Sequence, residues 1–257
     1  MTMSEVEHLT GFEGTDLMNP MARVPDELFA NLWVELNTRY PDEALSVDLA
    51  RSAPLQSLAG LAHGVQYAAN VREALELCIE NRSVLADRLD LELIENASEV
   101  AFTVAHPLDD RDQGEAAVTG LGMFLRVITQ VMGVEGGVLR VDLRYVAQGP
   151  AESYASFFGA PVHFEGGRNA LVLEPSCLER KGRQANLELF AFAGIYFSQL
   201  RQQLAGASVK EPIDKLRQAI EYNATHGEFR ASSAAARAHM SLRSAQRLAS
   251  RHGVSLG

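Results

Sequence analysis

The run Ser232-Ser-Ala-Ala-Ala-Arg-Ala-His-Met-Ser-Leu-Arg-Ser-Ala-Gln-Arg-Leu-Ala-Ser-Arg-His-Gly253 decides how the C-terminal part of this 257-residue chain is read. It divides into a short alanine-rich helix, a tight turn and a second helix. Ser241 is placed to cap the second helix, its hydroxyl accepting from an otherwise unpaired backbone N–H. Gly253 is placed to stop it, because a residue without Cβ adopts the left-handed closing conformation at least cost. Arg243, Ser244, Gln246, Arg247 and Arg251 share an outward face, which leaves Leu242, Ala245, Leu248 and Ala249 to pack inward. Two short helices across a tight turn, the second polar and basic, is the plan by which a helix-turn-helix reads a major groove. The same pattern also describes an ordinary alanine-rich helical hairpin.

Charge separates this end from the rest. The chain carries a net −10, yet from Ala207 onward eight Lys/Arg face four Asp/Glu, so the tail is +4 and the remainder −14. A basic module on an acidic body is what phosphate attraction requires of a DNA reader, whereas the body itself should not bind nucleic acid. Apolar residues make up 47% of the chain, enough for a true core. No apolar stretch approaches the ~18 residues of a membrane span, and the acidic start lacks the cationic and apolar runs of a signal peptide. Cys78 and Cys177 are too few for a disulfide framework and are not spaced as metal ligands. These readings place the chain in a reducing cytoplasm.

Taken in order, residues 1–20 read as a flexible lead-in punctuated by Gly11, Gly14 and Asn19-Pro20. Pro25 and the acids Asp26 and Glu27 open a helix with Leu28, Phe29, Leu32, Trp33 and Leu36 at helical spacing. Further helices are expected around 43–52, over about 54–67, and from Asn70, whose side chain is an N-cap, through Val71, Leu75, Cys78 and Ile79. The period then falls to two. Leu89, Leu91 and Leu93 face Val100, Phe102 and Val104 across a turn at Asn96–Glu99, a β-hairpin. A long helix is expected over 114–132, a third strand over 138–146, a short helix over 153–158, and strands at Val162 and Asn169. Strands grouped with interposed helices argue an α+β fold: an N-terminal helical layer with a mainly antiparallel sheet, then a small all-α segment. The helix from Leu187 to Leu200 is apolar nearly all round. Either it is a central core helix, or Leu189, Phe192, Tyr196 and Leu200 form a seam with a second copy of the chain. The expected division is a body over 21–205, a linker over 206–212 and the helix-turn-helix segment over 213–257.

The chemistry-bearing motifs are few. No phosphate loop, dinucleotide turn, H-E-x-x-H or G-x-S-x-G pattern is present. No two histidines stand at helical ligand spacing, so no metal, cofactor or catalytic residue is assigned. His106 and His163 could serve as strand-end bases but read more simply as satisfied structural histidines, and Asp109–Asp112 as a solvated loop. Cys78 reads as a small core residue. An enzyme is not called for.

Resemblance sharpens both ends. The run from Ala235 through Met240, Ser241, Arg243, Gln246, Arg247 and Gly253 to Ser255 resembles the first helix-turn-helix of AraC-type transcription regulators. It departs from that pattern in His239 at the turn glycine and in Ala238, Ala245 and Ala249 at usual leucines. The family carries a second helix-turn-helix downstream, so this resemblance implies a fragment of the DNA-binding domain. In the body, Tyr154-x-x-Phe-Phe-Gly-x-Pro-Val-x-Phe164 with Asn169 resembles the signature of one N-terminal effector-domain type of the same family. Val71-Arg-Glu-Ala-Leu75 agrees with it. Together the two resemblances imply a homodimeric regulator with double-stranded DNA as partner and a small effector of apolar character. They imply Ser241, Arg243, Ser244, Gln246, Arg247 and Arg251 as DNA contacts, while no effector-binding residue can be named. The alternatives are a sensing and dimerisation module without DNA binding of its own and, more weakly, a small-molecule enzyme.

Overall fold

A computed structural model describes residues 25–55, 58, 60–208, 212–225, 227–251 and 254–256. The chain divides into two compact units at Arg201/Gln202.

The first unit begins with α1 (Asp26–Arg39), whose acidic first turn suits the positive end of the helix dipole. Then come α2 (Leu45–Ser52), α3 (Leu61–Val65), α4 (Val71–Glu80) and α5 (Arg82–Leu85). The helix expected over 54–67 shrinks to α3. Pro54 lacks a donor, and Gly60 stands at φ +80°, a left-handed break at the start of α3. Asn70 caps α4, its Oδ1 accepting from Glu73 N at 3.0 Å. Burial pushes the Cys78 thiol up to about 12, in keeping with an inert core residue.

The hairpin β1 (Asp90–Glu95) and β2 (Val100–Ala105) pairs Leu91 with Val104 and Leu93 with Phe102. Asn96 Oδ1 accepts from the N–H of Ser98 and Glu99 to close the turn. Next come the short α6 (Asp109–Asp112), α7 (Glu115–Arg126) with a π-helical turn over Val127–Val131, and β3 (Val138–Asp142). They are followed by α8 (Ala151–Phe158), β4 (Val162–His163), β5 (Ala170–Leu173), α9 (Pro175–Leu178) and α10 (Leu187–Ser208). The five strands lie in the order β1-β2-β5-β3-β4, antiparallel except for β3 against β4. The fold is α+β.

α7 is the central helix. One side lies on the sheet, where Phe124 meets Phe102 edge to face at 4.9 Å. Another receives α2, and Gly122 permits the approach: a Cβ there would stand 2.6 Å from that of Ala50. Each fully buried Phe or Leu of this layer contributes about 1.5–3 kcal/mol. Cross-strand partners share a face, so the opposite face of the sheet carries Ala101, Ala170 and Val172 together with Arg140 and Asp142. There Arg140 donates to Glu99 at 2.6 and 3.0 Å and to Asp142 at 3.0 Å, and Arg168 donates to Asp142 at 3.1 Å.

The second unit contains α11 (Pro212–Thr225), α12 (Ala231–Arg237) and α13 (Leu242–Arg251). α10 remains helical through Ser208, past Gly206. Residues 209–211, at the heart of the expected linker, and the expected lead-in over 1–20 lie outside the described residues, as does Gly253.

Candidate functional site

Within the first unit, α1, the α5–β1 connection, β2, α6 and α7 enclose a cavity of about 470 Å³. Its wall is mainly apolar, with Phe29, Leu58, Leu89, Val104, Met123 and Phe124 prominent. On α7 the small Ala116, Ala117 and Gly120 face it and leave the space open. The volume falls in the usual range for small-molecule sites.

A contiguous polar group interrupts this wall: Asp26, His106, Asp109 and Asp112. His106 Nδ1 accepts from Leu108 N–H at 3.2 Å, so Nε2 carries the ring proton and donates to Asp26 Oδ2 at 3.0 Å. Asp26 also receives Arg88, which bridges to Glu27 at 2.8 Å. Asp109 Oδ2 accepts from His106 N–H at 3.1 Å and Asn169 Nδ2 at 3.4 Å, while its Oδ1 is buried with no hydrogen-bond partner. Asp112 accepts the N–H of Gly114 at 2.9 Å and of Ala116 at 3.3 Å. Burial raises both carboxyls, Asp112 to about 6, against the pull of those donors.

The solvated loop expected at 109–112 is thus a helical turn whose Asp109 and Asp112 are each 3% exposed. Their i, i+3 spacing sets both on one face, and Leu108 in the cavity wall anchors that face inward. Both signals were in the sequence. Of the two histidines read as structural, His106 is held at both ring nitrogens, whereas His163 is 59% exposed with Nδ1 3.7 Å from Asp142 Oδ1. A wider groove of about 760 Å³ runs past Arg51, Arg126 and Phe157, but Arg126 is engaged with Ala50 O and Ala53 O at 2.8 and 2.7 Å. Among the described residues no group of His, Cys, Asp and Glu could hold a metal.

In the second unit, Ser241 caps α13 as its position predicts, its Oγ accepting from Ser244 N at 3.1 Å. The same hydroxyl donates to Ser244 Oγ at 2.9 Å, so Ser244 is half-buried and drawn into the cap. Arg243, Gln246 and Arg247 are exposed, and the Arg251 side chain lies outside the described residues. The core is built from alanine: Ala234, Ala235, Ala238, Ala245 and Ala249 around Leu216, with Met240 and Leu248 packed against it. Ala245 and Ala249 are 0% and 1% exposed, so the helices close in and the cavities that lost leucines would leave do not arise. Leu242 does not join them; at the first position of α13 it is 40% exposed. His239 takes the turn at φ +54°, a left-handed conformation that favours glycine. Arg237 stacks on the Tyr222 ring at 3.8 Å and donates to Asn223 Oδ1 at 2.9 Å, tying α12 to α11.

A sequence model of the arabinose-binding domain of AraC transcription regulators, N-terminal part, matches residues 4–181. The chain belongs to this family. The crystal structure of the transcriptional regulator CdpR from Pseudomonas aeruginosa is similar in fold, with a TM-score of 0.53 and 18% identity over 98% of this chain and 78% of that one. Among curated proteins none matches.

The aromatic signature of this AraC-type chain does structural work. Tyr154 Oη donates to Gln148 O at 2.9 Å and accepts from Gln148 N at 3.1 Å, and its ring meets Phe164 edge to face at 5.2 Å. Gly159 closes α8 at φ +64°. On α10 the four seam candidates part company: Leu189, Phe192 and Tyr196 are 44%, 69% and 50% exposed, whereas Leu200 is buried with Phe197. Core and surface therefore divide one apolar helix. No helix among the described residues is long and apolar enough to cross a membrane.

Proposed function

We propose that this chain is a ligand-responsive transcription regulator that binds double-stranded DNA through α12 and α13, takes a small, largely apolar effector in the α1/β2/α7 cavity, and acts as a homodimer. A regulator reading DNA works in the cytoplasm. The observation that carries the DNA-binding part is the exposed Arg243, Gln246 and Arg247 on a capped helix whose opposite face is closed by Ala245 and Ala249. Arginine pairs with guanine and glutamine with adenine in the major groove, and each arginine also draws phosphate. Ser241 and Ser244 serve the cap first, and Arg251 completes the basic set at the helix end. The effector part rests on family membership together with an apolar, polar-anchored cavity of ordinary ligand size. Effector binding then shifts the geometry of two linked reading heads on paired half-sites. The domain division expected at 206–212 belongs to the same reading.

The test is duplex binding by the full chain as a function of salt. Affinity should fall linearly on a log–log plot, and Arg243→Ala and Arg247→Ala should each reduce the slope by about one. Salt-insensitive binding, or none, would leave the reading as a sensing and dimerisation module. The exposed Phe192, Ile195 and Tyr196 face on α10 favours that module as the second reading.

A further inference from the structure

We infer that the ligand of the α1/β2/α7 cavity is an organic cation, a protonated amine on a largely apolar body, with its ammonium group received by Asp109. This rests on the reading of the cavity as the effector site and adds the chemical class that the site selects.

The argument is an inventory of what the wall can offer. Among the described residues its carboxylates are Asp26, Asp87, Asp109 and Asp112, and its one ionisable base is His106. The wall's side-chain donors are already committed: His106 Nε2–H to Asp26, and the Thr119 hydroxyl to Ser46 O at 3.3 Å and Glu115 O at 3.0 Å. Acceptor capacity remains. Asp109 is 3% exposed and lines the cavity, and its Oδ1 is buried without a partner, so a turn of the side chain is what presents this oxygen to a ligand. A buried carboxylate oxygen left unpaired is costly, and a donor supplied by a ligand removes that cost. Among the described residues a ligand carboxylate or phosphate would meet acceptors and like charge, with no uncommitted side-chain donor to receive it. An ammonium group meets the reverse, and its apolar body meets Phe29, Val104, Met123 and Phe124. Arg88 offsets the charge of Asp26 and Glu27, with which it pairs, and makes no ion pair with Asp109 or Asp112. Burial raises the Asp109 and Asp112 carboxyls, the state that a neighbouring cation would reverse.

The experiment uses the full chain and three probes that share one apolar ring: cyclohexylmethylamine, cyclohexylmethanol and cyclohexanecarboxylate. Binding is read by calorimetry and by thermal shift, since a ligand bound only to the native state must raise its stability. The amine should bind at least about tenfold more tightly than the alcohol, and the carboxylate should be weakest, as expected when a buried unpaired polar group distinguishes ligands. Asp109→Asn should bring the amine down to the alcohol's affinity while leaving alcohol binding in place, which also shows that the variant is folded. Gly120→Leu fills the cavity from α7, where an added Cβ meets only Val104 Cγ1 at 3.6 Å and the rest of the side chain takes up the open space, and should abolish binding of all three probes. A carboxylate bound as tightly as the amine, or amine affinity unchanged by Asp109→Asn, overturns the cation assignment while the cavity reading stands. No binding by any probe, or binding indifferent to Gly120→Leu, overturns the cavity reading itself.

Discussion

Gly120 and Gly122 lie two residues apart on α7, and the same substitution should have different effects at the two. A Cβ at Gly120 would find only Val104 Cγ1 at 3.6 Å, ordinary van der Waals contact at the cavity wall. Gly120→Ala therefore keeps the helix-propensity gain of about 0.8–1 kcal/mol with no packing cost. A Cβ at Gly122 would stand 2.6 Å from both Ala50 Cβ and Phe157 Cε1. Neither neighbour is the free end of a flexible chain, so α2 and α8 must shift, at a cost of about 1–3 kcal/mol for overpacking. Set against the same propensity gain, Gly122→Ala should be neutral to about 2 kcal/mol destabilising, and the two variants should differ by about 1–3 kcal/mol. Trp33, the single tryptophan, is 2% exposed on α1 in the same unit, so its fluorescence in urea follows this core directly. The Gly120→Ala midpoint should rise and the Gly122→Ala midpoint should stay at or fall below that of the parent, at unchanged m. Equal shifts of the same sign would refute the claim that close approach to α2 is what requires glycine at 122.

Three further outcomes follow from the structure. Glu115 is 1% exposed, and burial raises its carboxyl to about 7 against the pull of Ser46. A raised acid binds more protons in the native state, so stability is highest in acid and falls as pH rises from about 4.5 through 7; Glu115→Gln should gain about 2–3 kcal/mol at pH 8 and less than about 1 kcal/mol at pH 5 in the same urea assay. Asp142, 6% exposed, joins Arg140 and Arg168, and Asp142→Ala should cost about 2–3 kcal/mol by leaving both guanidinium groups short of a partner, measured by thermal unfolding beside Arg140→Met. Phe192→Asp replaces a 69% exposed ring on α10; light scattering should show loss of dimer, while the unfolding of the dilute protein stays within about 0.5 kcal/mol of the parent.

What the sequence by itself determined is whatever a few neighbouring residues settle among themselves. Alternation placed Leu91 opposite Val104 and Leu93 opposite Phe102, because period two sends every second side chain to one face. Asn70 and Ser241 were legible as caps because a short side-chain oxygen one turn before a helical N–H has a single obvious partner. The tertiary structure decided the remainder. Strand order β1-β2-β5-β3-β4 brings β5 between two earlier strands, a pairing that no local pattern encodes. At 109–112 the sequence offered the i, i+3 spacing of Asp109 and Asp112, but only packing at the cavity wall made those two the buried side of a helical turn and left Asp110 and Arg111 outside. Asp26 and His106 meet across 80 residues of sequence, and the cavity they border exists only once α1, β2 and α7 have packed. On α10, an all-round apolar sequence could not say which side is core. Phe197 and Leu200 turn inward and Phe192 outward because the fold, not the periodicity, supplies the surface they pack against.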